Sequence, residues 1–188
     1  MGRVPRFQAA DATFHIGTRG NRKQPIFFEG RDHQKFMEIV ATVFVESRWL
    51  CRAWCLMPNH YHFLVETPRP NLSEGMERLN GWYARWFNKK HELTGHLFER
   101  RFYSGLIESE WHFLETWRYI LVNPVRAGLC RDAGDWLASS YRATVGQVEA
   151  PTFLSVKGPL HHFGDELSEA RGAFVRFVRE APPRLPWK

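Results

Sequence analysis

The chain has 188 residues, enough for one packed domain with a small extension and too few for two full domains. Hydrophobic residues at 44% and charged residues at 24% exclude wholesale disorder. Twenty-six Lys and Arg against 20 Asp and Glu leave a net charge of +6, a balance that suits a polyanionic partner.

Residues 13–19 alternate apolar and polar and read as a strand, closed by Gly20-Asn21 and the basic loop Arg22-Lys23. Residues 32–46 place Phe36, Ile39, Val40, Val43 and Phe44 at helical spacing. Residues 49–57 and 61–67 are two further strands joined by the turn dipeptide Pro58-Asn59. Asn71 and Glu74 have the spacing of a capping pair opening a helix to about Lys90, with Leu72, Met76, Leu79, Tyr83 and Trp86 on one stripe. Residues 101–108 alternate again as a fourth strand. Residues 110–122 form a third helix, which Pro124 is expected to end or kink. Beyond Asp132 the signal weakens to a Ser139-Ser140-Tyr141-Arg142 cluster and a tail broken at Pro151, Pro159 and Pro182-Pro183. One short basic amphipathic helix, Leu167–Arg179, stands within that tail.

The order strand, helix, strand, strand, helix, strand, helix predicts an α+β fold. It is the ferredoxin-like split βαβ pattern with an antiparallel sheet, an added helix after the last strand and a basic tail. The first two helices are expected on one face of the sheet, leaving the other free for a site. The expected division is one domain over residues 1–146 and an extension over residues 147–188.

Aromatic residues reach 15%, with 8 Trp and 15 Phe, as core filler or as base-stacking platforms; composition does not separate the two. The odd count of three Cys predicts a reducing compartment. Residues 1–6 are charged with no apolar run behind them, so no signal peptide is expected there. The most apolar stretch, residues 36–45, falls far short of the roughly 20 residues of a membrane span. Together these predict a soluble cytoplasmic chain without a membrane partner.

His60-Tyr61-His62 is the sharpest local feature. Alternation puts His60 and His62 on one strand face, roughly 6–7 Å apart at their roots and able to converge on one ion, with Tyr61, Phe63 and Val65 on the other. Two polar residues on an open sheet face would satisfy the same pattern. On the last helix Tyr119 and Asn123 lie four residues apart and share a face, though the residue before a proline is pushed out of helical conformation. Cys51 and Cys55 share a strand face at roughly 13 Å, too far to chelate one ion. His15 is a candidate partner behind the two histidines and Glu66 a reserve ligand or base. Tyr83 and Tyr103 are rival nucleophiles on paper, but Tyr83 belongs to the core stripe of its helix and Tyr103 sits on a strand. His91, His96, His112, His161 and His162 have no partner spacing and read as surface or capping residues.

In this order the motifs resemble one family. Met57-Pro58-Asn59-His60-Tyr61-His62-Phe63-Leu64-Val65 is similar to the HUH region of the single-tyrosine transposases. Tyr119-Ile120, followed by Asn123-Pro124-Val125-Arg126-Ala127-Gly128-Leu129, is similar to their nucleophile helix. His15 with Arg19-Gly20, Gly81 with Tyr83 and Asn88, Gly95-His96-Leu97-Phe98 and Arg101-Phe102-Tyr103 also match. Ser139-Ser140-Tyr141-Arg142 and the chain length point to the REP-associated tyrosine transposase branch. The resemblance covers about residues 13–146.

The resemblance implies that Tyr119 is the nucleophile and that His60, His62 and Asn123 hold a divalent metal. Imidazoles favour zinc-like ions, but the family's Mg2+ or Mn2+ is the expectation. It implies a metal-dependent endonuclease and strand transferase that forms a 5′-phosphotyrosine at hairpin-forming, single-stranded repeats. Arg19, Arg22, Lys23, Arg100, Arg101, Arg126 and Arg142 are candidate phosphate contacts, each equally readable as solvated surface. A non-catalytic, domesticated hairpin-binding protein is the alternative of a different class. A hydrolase using the histidines with water, leaving Tyr119 dispensable, is a third reading. Some relatives dimerise and swap the tyrosine helix; a monomer is favoured here over a homodimer.

Overall fold

A computed structural model describes residues 7–180. The expectations made for residues 1–6 and for Pro182-Pro183 lie outside the described residues. Strands β1 (Ala12–Arg19), β2 (Leu50–Met57), β3 (His60–Thr67) and β4 (Tyr103–Leu106) form one antiparallel sheet in the order β2-β3-β1-β4. Helices α1 (Gly30–Ser47) and α2 (Leu72–Lys90) are the crossovers, and α3 (Glu110–Arg126) follows the last strand. Two short helices, α4 (Tyr141–Thr144) and α5 (Lys157–Leu160), lead to α6 (Leu167–Arg179), which spans the residues read from its periodicity. Among the described residues no helix is long and apolar enough to cross a membrane.

Strand parity builds the first core. Phe14 and Ile16 of β1 and Tyr61, Phe63 and Val65 of β3 meet Phe36, Val43 and Phe44 of α1 and Met76, Tyr83 and Phe87 of α2, all buried. Burying each such side chain contributes roughly 1.5–3 kcal/mol.

The opposite face is not free. Ala53, Cys55, Met57 and Leu64 pack against Trp117, Ile120 and Leu121 of α3, and Phe174 and Val178 of α6 back them, with Trp117 and Phe174 centroids 4.3 Å apart. The apolar stripe of α3 needs a partner, and the outward residues of β2 and β3 supply it. The cover thins beyond β3: Tyr119 still reaches His15 of β1 and Gly17 is buried, while Tyr103 of β4 is exposed on this side.

Four local expectations are corrected. The amide of Asn71 does not cap α2: its Oδ1 accepts from Trp49 Nε1 at 2.8 Å and its Nδ2 donates to the Ser47 carbonyl at 3.1 Å, tying α2 to the α1–β2 corner. Pro124 does not end α3. Ala127 N–H still donates to the Asn123 carbonyl at 2.9 Å, so Asn123 stays helical, and the helix closes near Gly128 at φ +70°. The fourth strand is shorter than expected because β1 pairs it only over Tyr103–Leu106. Cys51 and Cys55 face opposite ways: a bulge between Cys51 and Ala53 inverts parity, placing Cys51 in the first core and Cys55 in the second.

Candidate active site between β3, β1 and α3

Directly opposed residues share a sheet face. On the α3 side the register makes three rows: Met57, His60 and Arg19; Cys55, His62, Gly17 and Tyr103; Leu64, His15 and Gly105. Four rings gather there. Ring centroids lie 5.0 Å apart for His60 and His62, and 5.0 Å for His15 and His62. Tyr119 descends from α3 to 5.6 Å from His62 and 5.8 Å from His15, edge-on to both.

Hydrogen bonds orient the imidazoles. His60 Nδ1–H donates to the Asn59 amide oxygen at 2.7 Å, and His62 Nδ1 meets His15 Nε2 at 3.0 Å. Both of these contacts engage Nδ1, the arrangement in which an imidazole that binds an ion does so through Nε2. Burial, with the charge of His112 a lesser cause, pushes the His15 imidazole down to about 4, so it is neutral at neutral pH. A neutral His15 with its proton on Nδ1 accepts from His62 Nδ1–H, which leaves the lone pair of His62 on Nε2.

Gly17 makes this arrangement possible. A Cβ there would stand 2.8 Å from the Tyr61 carbonyl oxygen and 3.0 Å from His62 Nδ1, so any side chain would displace the ring that leans across β1.

His15, His60, His62 and Tyr119 are therefore brought together. Asn123, half-buried, lies one turn beyond Tyr119 on the same face of α3. Among the described residues no three His, Cys, Asp or Glu side chains gather to hold an ion. Glu66 does not join the histidines: Arg52 Nη2 donates to its Oε2 at 2.5 Å while Nη1 donates to Ser155 Oγ at 2.6 Å. Tyr83 is excluded as a nucleophile, being buried with its hydroxyl donating to the Ile26 carbonyl.

Two residues at the site were set aside in the sequence. His112, in the first turn of α3, acts electrostatically on His15; the spacing 112, 119, 123 was a legible helical stripe. Tyr103 lies 5.4 Å from His15, edge-on. His91 is the C-cap residue of α2, the capping arm of its reading, and its Nε2 also lies 3.1 Å from the buried Asp32.

Cations collect at the His60 end. Gly20 N–H donates to the Asn59 carbonyl, Asn59 Nδ2 to the Lys23 carbonyl and Glu99 N–H to the Arg19 carbonyl. These bonds fasten the turn carrying Arg22 and Lys23, and the segment carrying Arg100 and Arg101, beside the β2–β3 hairpin. Arg19, Arg22, Lys23 and Arg101 are exposed and make no ion pair among the described residues; exposed Arg100 pairs with Glu99 at 3.4 Å. Arg126 is exposed in the last turn of α3. Arg142 is not brought there: it sits on α4, which follows Ser139 and Ser140 at the β2 edge.

The profile of the family described as "Transposase IS200 like" matches residues 8–123. A protein named as a REP-associated tyrosine transposase of Haemophilus influenzae is 30% identical over 105 residues, 50% of this chain and 59% of the relative. The chain thus spans under two thirds of that relative's length. The REP-associated tyrosine transposase of Escherichia coli K12 is 22% identical over 139 residues, 71% of this chain and 78% of that one. A solved REP-associated tyrosine transposase bound to a REP hairpin has the same fold, with a TM-score of 0.66 at 19% identity over 82% of this chain and 92% of that one.

Proposed function

This chain belongs to the IS200-like transposase family, and from that membership we propose that it cleaves and rejoins single-stranded DNA at hairpin-forming repeats through a 5′-phosphotyrosine on Tyr119. The observation that carries the reading is the approach of the Tyr119 ring, on a separate helix, to within 5.6 Å of His62 and 5.8 Å of His15.

A phenol with an ordinary value near 10 is a weak nucleophile at neutral pH and must be positioned. The edge contacts with His15 and His62 hold the Tyr119 ring in place. Its oxygen attacks phosphorus, the bond to the 3′-oxygen breaks, and that oxygen leaves as a 3′-hydroxyl carrying a proton in place of the one the phenol gives up. One phosphodiester is exchanged for another, so a second 3′-hydroxyl reverses the step without ATP. Mg2+ or Mn2+ on His60 Nε2, His62 Nε2 and the Asn123 amide oxygen would supply positive charge against the charge growing on the phosphate oxygens. Arg19, Arg22, Lys23, Arg100 and Arg101 lead a backbone toward that point. Because Tyr119 meets the histidines of its own chain, a monomer acting in cis is the assembly this reading adopts. The division after residue 146 is kept: the part before it carries the chemistry, and α6, in the extension beyond it, backs α3.

The test uses hairpin oligonucleotides from the gene's flanks, with Mn2+, read by denaturing gel and mass analysis. A covalent adduct on Tyr119 is expected, abolished by EDTA and reduced at least 1,000-fold in Tyr119→Phe, the order seen on removing a nucleophile. Tight hairpin binding without an adduct would favour the non-catalytic binder, and cleavage without an adduct would make water the nucleophile.

A further inference from the structure

Of the five tyrosines, Tyr103 alone is largely exposed, at 58%; Tyr61, Tyr83 and Tyr141 are buried and Tyr119 is half-buried. A lone exposed aromatic is ordinary. Three features set this one apart. Tyr103 stands in the same cross-strand row as His62, with only Gly17 between them. Its ring is held, edge-on to His15 at 5.4 Å, and its phenol lies over Gly105, where a Cβ would collide with the hydroxyl. Tyr103 is the exposed end of that row, whose other end is buried at Cys55, and it lies next to the end of the sheet that presents Arg19, Arg100 and Arg101.

His15 is the common neighbour of Tyr103 and Tyr119. The two phenols are no further apart than two ring contacts laid end to end, the span of a nucleotide or two of extended chain. A strand whose phosphate reaches Tyr119, with its backbone on the arginines, carries the adjoining base over Tyr103. Stacking on a pre-positioned ring needs little ordering at the moment of binding and accepts any base.

We propose that the open face of Tyr103 stacks a nucleobase of single-stranded DNA adjoining the phosphate that Tyr119 attacks, an inference that rests on the reading of Tyr119 as nucleophile. The ring touches substrate without entering bond exchange, so Tyr103 is a positioning residue.

The experiment is binding by Tyr119→Phe, which forms no adduct, of a flank-derived hairpin with 2-aminopurine scanned along its single-stranded arm. Quenching is expected at one or two adjacent positions. It should persist in Tyr103→Phe and vanish in Tyr103→Ala, with affinity roughly tenfold weaker or more. Tyr103→Leu keeps an apolar group over Gly105 without a flat face, and is expected to lose the quench while melting like the parent. A quench profile unchanged in folded Tyr103→Ala or Tyr103→Leu would overturn the assignment. Failure of the nucleophile reading is seen separately, as absence of an adduct on the unsubstituted chain while Tyr103-dependent quenching remains.

Discussion

The two faces of the sheet are built from the same strands and differ in how completely their groups are satisfied. Toward α1 and α2, Phe36, Phe44, Tyr61, Phe63 and Tyr83 are fully buried in aromatic contact, and both tyrosine hydroxyls are bonded, to Thr18 and Asn80 and to the Ile26 carbonyl. Trp54 Nε1, packed against this core, is the one buried side-chain polar atom there with no hydrogen-bond partner among the described residues. Toward α3 and α6, the Glu115–Arg118 ion pair is buried, yet Glu115 Oε2, Arg118 Nε and Trp117 Nε1 have no hydrogen-bond partner among the described residues. Buried polar atoms left unbonded cost stability. These three lie in the helix that carries Tyr119, within about one turn of it. One face is the more completely satisfied; the other, which carries the proposed site, leaves more of its buried polar atoms unpaired.

The largest test of this division falls on the rigid face. Asp32 is fully buried and accepts from Phe28 N–H at 2.7 Å, Glu29 N–H at 3.1 Å and Lys90 Nζ at 2.7 Å, with His91 Nε2 at 3.1 Å, locking the start of α1 to the end of α2. Burial pushes its carboxyl up, but the hydrogen bonds, that of Lys90 foremost, outweigh burial and hold it below the usual carboxylate range. Asp32→Asn should cost about 2–3 kcal/mol in urea melts at pH 7, because the buried donors lose their charged acceptor. A depressed carboxyl contributes stability that is present above the ordinary value near 4 and lost as pH falls through its own lower value. The parent should therefore lose this increment below about pH 4, and Asp32→Asn should not. Adduct yield per folded molecule should stay unchanged. A fall in that yield would break the comparison.

Much of this partition is legible in the chain, because strand parity is a local property. His60-Tyr61-His62 announces which residues face each way, and the spacing of Phe36, Val40, Val43 and Phe44 announces the helix that meets Tyr61 and Phe63. What parity cannot reveal is where it breaks. The bulge after Cys51 exists only in the pairing of β2 with β3, and it sends Cys51 and Cys55 to different cores. Pro124 reads locally as a stop, but the helix needed only two residues beyond it. The cover over the second face depends on Trp117 meeting Phe174 far along the chain. Tyr103 and His112 join the site through β1–β4 pairing and the docking of α3, neither of which a single segment encodes.

Gly17 is where the comparison should blur, with the next largest effect. The atom a methyl would meet on one side, the Tyr61 carbonyl oxygen, is backbone beneath the aromatic core; on the other side it meets His62. Gly17→Ala should cost about 1–3 kcal/mol as overpacking. Because the ring of His62 must shift, the rate of adduct formation should drop at least tenfold, in line with roughly 100-fold for a 1 Å misplacement. Melts and adduct kinetics on the same preparation decide it. A stability loss with unchanged kinetics would mean the His62 ring adapts without moving from its productive position.

The smallest effect on stability is expected at His15, and there the chemistry face should speak alone. His15 Nε2 accepts from His62 Nδ1–H when His62 presents Nε2 to an ion, as the proposal has it, so losing that acceptor leaves the His62 ring unoriented. His15→Leu fills the space without an acceptor; His15→Gln can present its amide oxygen to the same nitrogen. Mn2+ affinity, read by electron paramagnetic resonance on DNA-free protein, should fall roughly 10–100-fold in His15→Leu and less in His15→Gln. Melting of the metal-free Gln variant should move by under about 1 kcal/mol, since one half-buried polar group replaces another. Equal losses of Mn2+ affinity in the two variants would assign the effect to ring bulk against Tyr119 and Tyr103 instead of to the hydrogen bond.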